Sequence, residues 1–444
     1  MALAPALALL LSTSRSLLIP AARRRTTPLL RMSTKVPEAH SGICLILSTS
    51  ADAASVVQLE ALLAQSSWQQ LASPTPGTRA WSRGTVRLWA LHDDFLGMDG
   101  VDETWRQATG EPAKELIFLS RHASQSSGPC LTVHPIGVAA HATEDDLQRG
   151  GGRPGVLPPP GVRLAPLYRR LCEARKSGGI GDINFPSDFK VSLEATHHGP
   201  VVDTPALFYE IGSTEQEWSR RDAANLLAAA LCLELSDELV ESACTLVAKE
   251  DITTTKASTI GAAATSPNND SAPHSGETLV PNRTNDALIS SSLHAAKAKN
   301  STGGTQVEKP IILGIGGGHY APKVGDQARK SGTRVGHILA RYAIQFSSIS
   351  KPRLDAATHQ PQPSDALAPD SSRATPEEPS IEEAKRSLLE GGGGATILAA
   401  IEATRRAHGP DVSLEVLLDR RSFEPWQREV VRRFVESQGC VVKG

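Results

Sequence analysis

The chemistry available to this sequence rests on its histidines and on two carboxylates at apolar positions. Thirteen histidines occur, and the informative ones stand where apolar runs stop. His122 follows "LIFLSR", His134 closes "LTVHP", His197 and His198 follow "VSLEAT", and His319 follows "GIGGG". Glu194 lies just before the histidine pair, and Glu210 lies in the apolar run "FYEIGS". A carboxylate in an apolar strand is costly to bury unless it is paired or coordinating. Imidazoles and carboxylates supplied from distant points of a chain suit general acid–base work or a hydrolytic metal site. The expected ligands are His134, His197, His198, Glu210 and His319. The expected reacting groups are Glu194, His197, His198 and His319. On a regular strand His197 and His198 would face opposite sides, which predicts one ligand and one residue that orients substrate. The alternative for any single histidine is a hydrogen-bonded packing role.

A second stretch, "IILGIGGGHYAPK" (311–323), ends an apolar strand in three glycines. The P-loop pattern fails, because His319 falls where the second glycine belongs and no Lys-Ser/Thr follows. Gly316, Gly318 and Ala321 satisfy G-x-G-x-x-A, but no Asp or Glu occurs between Asp326 and Asp355 to hold a ribose. Pro322 suits the first turn of a helix, leaving the preceding amides free for an anion or carbonyl. The substrate contacts predicted are therefore Gly316, Gly317, Gly318, Tyr320 and Lys323, with Arg153 of "GGRPG" as a phosphate contact. Lys323, Arg329, Lys330 and Arg334 are expected to form a local basic patch. No G-x-S-x-G elbow is present, and Cys130 sits in an apolar strand without a basic neighbour to activate it.

These groups must be positioned by strands and helices in alternation. Strand-like runs occur at 43–49, 85–91, 115–121, 130–135, 190–196, 206–212, 311–316, 334–339 and 414–419, several of them continuously apolar as covered strands are. Helical patterns span 51–65, 213–235 and 424–437. The second opens with Thr214 and Glu217 at capping-box spacing, and Pro425 begins the third. The fold class expected is α/β, with a mixed, mostly parallel sheet flanked by helices.

The 444 residues carry a formal charge of -2, which argues against a broadly basic nucleic-acid coat and leaves any nucleic acid to a local patch. No apolar run reaches membrane-spanning length, so no membrane partner is expected. Six scattered cysteines without a CxxC pair fit small buried hydrophobes in a reducing compartment. Residues 1–39 form an Arg-rich leader whose first 37 residues lack acids, as in organelle transit peptides, while Met32 offers an internal start. The expected location is cytoplasmic or organellar, in chloroplast or mitochondrion. Residues 252–308 and 347–380 lack aromatics and read as disordered insertions, leaving 40–251 and 309–444 as the α/β domain.

Taken in order, "LSRHASQSSGPCLTVHPIG", "GGRPG", "LEATHHGP", "FYEIGSTEQEW", "GIGGGHYAPK", "VGHILARYA" and "DRRSFEPWQ" resemble the archaeal- and plant-type D-aminoacyl-tRNA deacylases, the D-tyrosyl-tRNA deacylases of the GEKO type. The resemblance runs from about Gly42 to the C-terminus. It implies a phosphorylase/peptidyl-tRNA hydrolase-like fold and hydrolysis of the ester between a D-amino acid and the tRNA 3′ end. Removal of aldehyde-modified D-aminoacyl adducts is linked to plant members. It also implies dependence on Zn2+, with two ions, and a D-aminoacyl-tRNA partner. The chain is expected to be a monomer or weak homo-oligomer. Competing readings are a phosphorylase or peptidyl-tRNA hydrolase relative acting on another substrate, a non-catalytic tRNA or nucleotide binder, and a dehydrogenase.

Overall fold

The computed structural model describes residues 42–65, 67–124, 128–240, 309–348 and 379–443. The leader 1–39, the segment 252–308 and nearly all of 347–380 lie outside them. At the edges of the last stretch, Ser347 donates its amide to the Ser387 carbonyl, and Ser380 caps the helix Ile381–Glu390 in a capping box, so these two residues belong to the fold.

Eight strands form one mixed sheet. In spatial order they are β2 (Gln69–Leu71), β3 (Arg79–Arg83), β4 (Val86–Leu91), β1 (Ile43–Thr49), β5 (Ala113–Ala123), β10 (Ala206–Ser213), β6 (Cys130–Pro135) and β9 (Lys190–Leu193). The central strands β4, β1, β5 and β10 are parallel, whereas β6 and β9 run against β10 and parallel to each other. A second sheet, entirely parallel, is ordered β12 (Arg334–Leu339), β11 (Ile311–Ile315), β13 (Leu414–Leu418) and β14 (Val441–Lys443). Two two-residue strands, β7 (Gly179–Ile180) and β8 (Ile183–Asn184), make a small hairpin.

The apolar runs become strands because both faces are covered. Every residue of β1, β6, β10 and β11 is buried. On one face of the large sheet, Leu119, Leu131, Val133, Tyr209 and Ile211 pack against the helices Ala53–Gln65, Leu164–Ser177 and Arg221–Glu234. On the other face Leu45, Trp89, Phe118 and Phe208 meet Phe95 and Trp105. Each fully buried large side chain in these layers contributes roughly 1.5–3 kcal/mol relative to leaving it in water. The second sheet shares the first core through Ile312, Val335 and Ile338. Its opposite face is closed by the helices Ile381–Glu390, Gly393–His408 and Pro425–Ser437.

The expected α/β class with a mixed, mostly parallel sheet is what forms. The run 190–196 is strand only to Leu193, because the chain then leaves β6 and crosses to the second sheet. The long helix expected over 213–235 breaks at Ser219–Arg220 into Glu215–Trp218 and Arg221–Glu234. No helix among the described residues is long and apolar enough to cross a membrane.

Candidate active site

Strand parity builds the floor of the site. Register pairs Glu210 with Ser120 on one side and with Thr132 on the other, and it pairs His134 with Phe208 and His122 with Gly212. Registered residues point to the same face and alternate with period two, so His122, Thr132, His134 and Glu210 project from one face. Because β6 runs antiparallel to β5, their carboxyl ends lie at opposite ends of the sheet. The histidines therefore meet across the sheet face over Glu210, not at one common rim of strand ends.

The chain from 193 to 198 supplies the wall. Ala321 donates its amide to the Leu193 carbonyl, Ala195 to that of His319, and Thr196 to that of Ile338. Glu194 forms an isolated bridge with Tyr320. This segment thus joins the edge of the large sheet to the glycine loop and β12, and it seats the site at the seam between the sheets. His197 and His198 do not face opposite sides. The strand has ended, and His198 takes φ +31°, a conformation costly for a side-chain-bearing residue and typical of functional sites. Their ring centroids lie 4.1 and 4.9 Å from that of His134 and 4.2 Å from each other. His319 closes the group, 4.5 Å from His197.

Each histidine except His198 is held by one nitrogen and offers the other to the centre. The Nδ1–H of His197 donates to the Ala195 carbonyl (2.8 Å), and that of His134 to the Pro135 carbonyl (3.1 Å). His122 Nε2 pairs with the Tyr320 hydroxyl (3.2 Å), and His319 Nδ1 with that of Tyr342 (3.3 Å). The carbonyls assign the tautomers of His197 and His134, while a tyrosine hydroxyl serves the other two as donor or acceptor. The free nitrogens face carboxylates: His122 Nδ1 lies 3.2 Å and His319 Nε2 3.2 Å from Glu194, and His134 Nε2 lies 3.5 Å from Glu210. Both carboxylates are buried, and Thr132 donates its hydroxyl to Glu210 at 2.9 Å.

Charge separates the imidazoles into two kinds. Burial works against charging His122 and His134, but Glu210 and Glu194 outweigh it and raise both. Burial also opposes ionisation of Glu210, yet His134 and His122 hold its carboxyl well below the usual range. His197 is lowered by burial and by the imidazoles of His134, His198 and His319, and burial with His134 pushes His198 down to about 3. Neutral imidazoles present lone pairs, as ligation requires.

The donor set fits a divalent cation. Both oxygens of Glu194, Glu210 Oε1, His134 Nε2 and His198 Nδ1 are buried without a hydrogen-bond partner. An unpaired buried polar atom costs roughly 1–3 kcal/mol, more when charged, so five in one place ask for a shared partner. Three overlapping triads have ligand atoms mutually within 4.8 Å: His134–His197–His198, His122–Glu194–His319 and His134–Glu194–Glu210. Mixed nitrogen and carboxylate donors suit zinc and its first-row neighbours.

The six expected residues Glu194, His197, His198, His319, His134 and Glu210 converge. His122, which ends an apolar run like the others but was not placed among the ligands, joins them, as does Tyr342. Tyr320 is present through His122. The glycine loop departs from expectation. The Gly316 amide donates to the Leu339 carbonyl (2.8 Å) and that of Gly317 to Ser422 Oγ (2.6 Å), so neither is free for an oxyanion. They hold the loop to β12 and to the residues after β13, while Gly318 opens onto free space. Lys323 pairs with Asp419 (2.7 Å) and stays exposed beside the loop. Arg153 pairs with Asp99 (2.9 Å) in the loop whose Gly150 carbonyl accepts from the Gly199 amide, next to His198. The four residues expected as a basic patch do not all border the glycine loop. Arg334 opens β12 and pairs in register with Ile311, at the end away from the glycine loop, so about 16 Å of strand separates it from the site. Arg329 turns to Asp326 and Tyr168. Cys130 is buried, its thiol pushed up to about 12 by burial, and takes no nucleophilic part.

Fold and centre together define an α/β protein with the buried histidine–carboxylate set of a hydrolytic site. A family model described as D-aminoacyl-tRNA deacylase matches residues 109–253, which include His122, His134, Glu194, His197, His198 and Glu210. A D-aminoacyl-tRNA deacylase of Arabidopsis thaliana is 30% identical over 400 residues, covering 90% of this chain and 98% of the relative. One of Pyrococcus horikoshii is 24% identical over 307 residues, covering 68% and 82%. A crystal structure of a conserved protein of unknown function shares the fold at TM-score 0.51 and 17% identity, covering 91% of this chain and 95% of the other. The chain belongs to the D-aminoacyl-tRNA deacylase family.

Proposed function

We propose that this protein hydrolyses the ester joining a D-amino acid to the 3′ end of tRNA, releasing free D-amino acid and tRNA, and that its centre holds zinc. The observation that carries the reading is the cluster of buried, unpartnered Glu194, Glu210, His134 and His198 atoms in a chain of this family. His134, His197 and His198 would hold one ion, and His122, Glu194 and His319 a second, with Glu210 between the sets. Such ions supply Lewis acidity at the ester carbonyl and make hydroxide available near neutral pH.

The chain's own groups do the rest. Glu194 lies between His122 and His319 with both oxygens free of hydrogen bonds, placed to take a proton from water. His197 and His198, held neutral, are weak bases and serve as ligands. His319 keeps about a third of its side chain exposed, while His122 and His134 are buried, so the ester arrives from the His319 side. Lys323 beside the glycine loop and Arg153 in the loop next to His198 are both exposed and each paired with an aspartate, and a phosphate would compete with that aspartate for them.

The deciding experiment follows release of D-tyrosine and L-tyrosine from charged tRNA, with and without chelator. Rapid release of the D form alone, abolished by chelator and restored by zinc, is expected. His198→Ala and His319→Ala should each lose more than tenfold. Cleavage of peptidyl-tRNA or a nucleoside in place of D-tyrosyl-tRNA, or binding of tRNA without cleavage, would remove the proposal.

A further inference from the structure

Tyr342 occupies the short turn Arg341–Ala343 just beyond β12. The turn lies against the glycine loop, because Arg341 donates its amide to the Gly317 carbonyl (2.9 Å) and Gly316 donates to that of Leu339 (2.8 Å). It is firmly mounted. Ala343 donates to the Ala340 carbonyl, Gln345 Nε2 donates to that of Tyr342, and the Arg341 guanidinium lies over the rings of Phe346 and Phe423. The Tyr342 hydroxyl turns inward to His319 Nδ1 at 3.3 Å, and burial together with Glu194 raises its pKa. The residue as a whole is 48% exposed, one of four large apolar residues so exposed among the described residues. Val240 and Val441, two of the others, lie near the ends of described segments. Of these four, Tyr342 is the one whose hydroxyl reaches His319 of the centre.

We infer that the ring of Tyr342 is the platform on which the 3′-terminal nucleobase of the tRNA stacks, an assignment that rests on the deacylase reading above. Only one ribose separates the reacting ester from that base. When the ester carbonyl sits at Glu194 and His319, the base must fall within a ring's length of His319, and the exposed face of Tyr342 occupies that distance. Single-stranded ends are gripped by stacking on aromatic rings, which tolerates any base and so suits an enzyme acting on many tRNAs. The stack fixes the ribose and hence the ester. Tyr342 therefore acts as a substrate-positioning residue.

The test measures kcat and KM on D-tyrosyl-tRNA and on D-tyrosine methyl ester, which has no base, for wild type, Tyr342→Ala, Tyr342→Leu and Tyr342→Phe. Inhibition of tRNA cleavage by adenosine is measured for the same four. Tyr342→Ala and Tyr342→Leu should lower kcat/KM on the tRNA by about ten- to a hundredfold, the range of one lost base stack, mainly through KM. Their effect on the methyl ester should be several-fold smaller, and adenosine should inhibit them less. Tyr342→Phe keeps the ring but removes the hydroxyl that holds His319, so its loss should be the same on the tRNA and on the methyl ester, and adenosine should inhibit it as it does wild type. If Ala and Leu, like Phe, lose equally on both substrates, or if adenosine inhibits all four proteins alike, the residue serves only to hold His319 and the platform is wrong. If the methyl ester is not cleaved, the adenosine series decides: unchanged inhibition in Ala and Leu overturns the inference. A wild type that leaves D-tyrosyl-tRNA intact overturns the deacylase reading itself. A wild-type rate that Tyr342→Ala matches overturns the platform alone.

Discussion

Glu210 shows how a single side chain sets the character of the centre. It lies in mid-strand between β5 and β6, buried beside Ser120 and Thr132, where a lone carboxylate would be expelled or protonated. His134, His122 and Thr132 keep it ionised instead. Valine has nearly the shape of threonine, so a valine at that position removes the hydroxyl bond to Glu210 and little else. Thr132→Val is therefore expected to lower metal affinity or activity by about 10–100-fold, the usual cost of removing a partner that orients a ligand. Thr132→Ser should retain both. Chelator competition on the purified protein checks this, and equal metal affinity in wild type and Thr132→Val would remove Thr132 from the argument. At this scale the sequence was informative about residue type and silent about partners. His122 and His134 end apolar runs in the same manner, yet only the sheet register reveals that Glu210 lies between them.

Elements explain why adjacent residues could be misjudged. A regular strand through 190–196 would split His197 from His198, and the residues 190–196 do alternate well enough to suggest one. What stops it is a competitor for its hydrogen bonds. From Leu193 onward the backbone pairs with His319 and Ala321 of the glycine loop and with Ile338 of β12, partners more than a hundred residues away that no local pattern announces. Gly199 completes the turn. Its φ is +106°, and a Cβ there would stand 3.0 Å from Ile136 and 3.1 Å from Phe208. Gly199→Ala should cost about 1–3 kcal/mol of stability from backbone strain and displace the neighbouring His198. A denaturation curve and a cleavage assay on one preparation test both halves, and full activity in a destabilised variant would separate His198 from the turn. Other elements were hidden for simpler reasons. β2 and β14 span three residues each, too few to show a period. The helix Gly393–His408 opens in a glycine run that reads as a linker, although a Cβ at Gly393 would meet the Gln345 carbonyl at 2.5 Å, so close packing demands glycine there.

At the scale of the whole molecule, the site depends on two sheets staying in register across a seam, and His337 is its central tie. This residue of β12 is fully buried. Its Nε2–H donates to the Pro158 carbonyl (3.0 Å), and its Nδ1 accepts from the Thr196 hydroxyl (3.0 Å), which itself accepts from the Ile338 amide. Three separate stretches meet there, including the one that carries Glu194, His197 and His198. Only the neutral ring can both donate and accept in this way. Burial pushes its pKa down to about 3, with Arg406 and His408 adding to the effect. In the unfolded chain the ring titrates near 6.5. Between these values the unfolded state binds a proton that the folded state refuses, so stability falls as pH drops from about 6.5 toward 3 and is flat, for this group, above that window. One such proton accounts for a slope of about 1.4 kcal/mol per pH unit. His337→Asn removes the titrating group. Urea denaturation of wild type and variant at intervals from pH 7.5 to 4 should give curves whose difference is constant above pH 6.5 and narrows below it by up to that slope. A difference that stays constant down to pH 4 would mean that His337 takes up its proton within the fold, and that the seam survives protonation of its central tie.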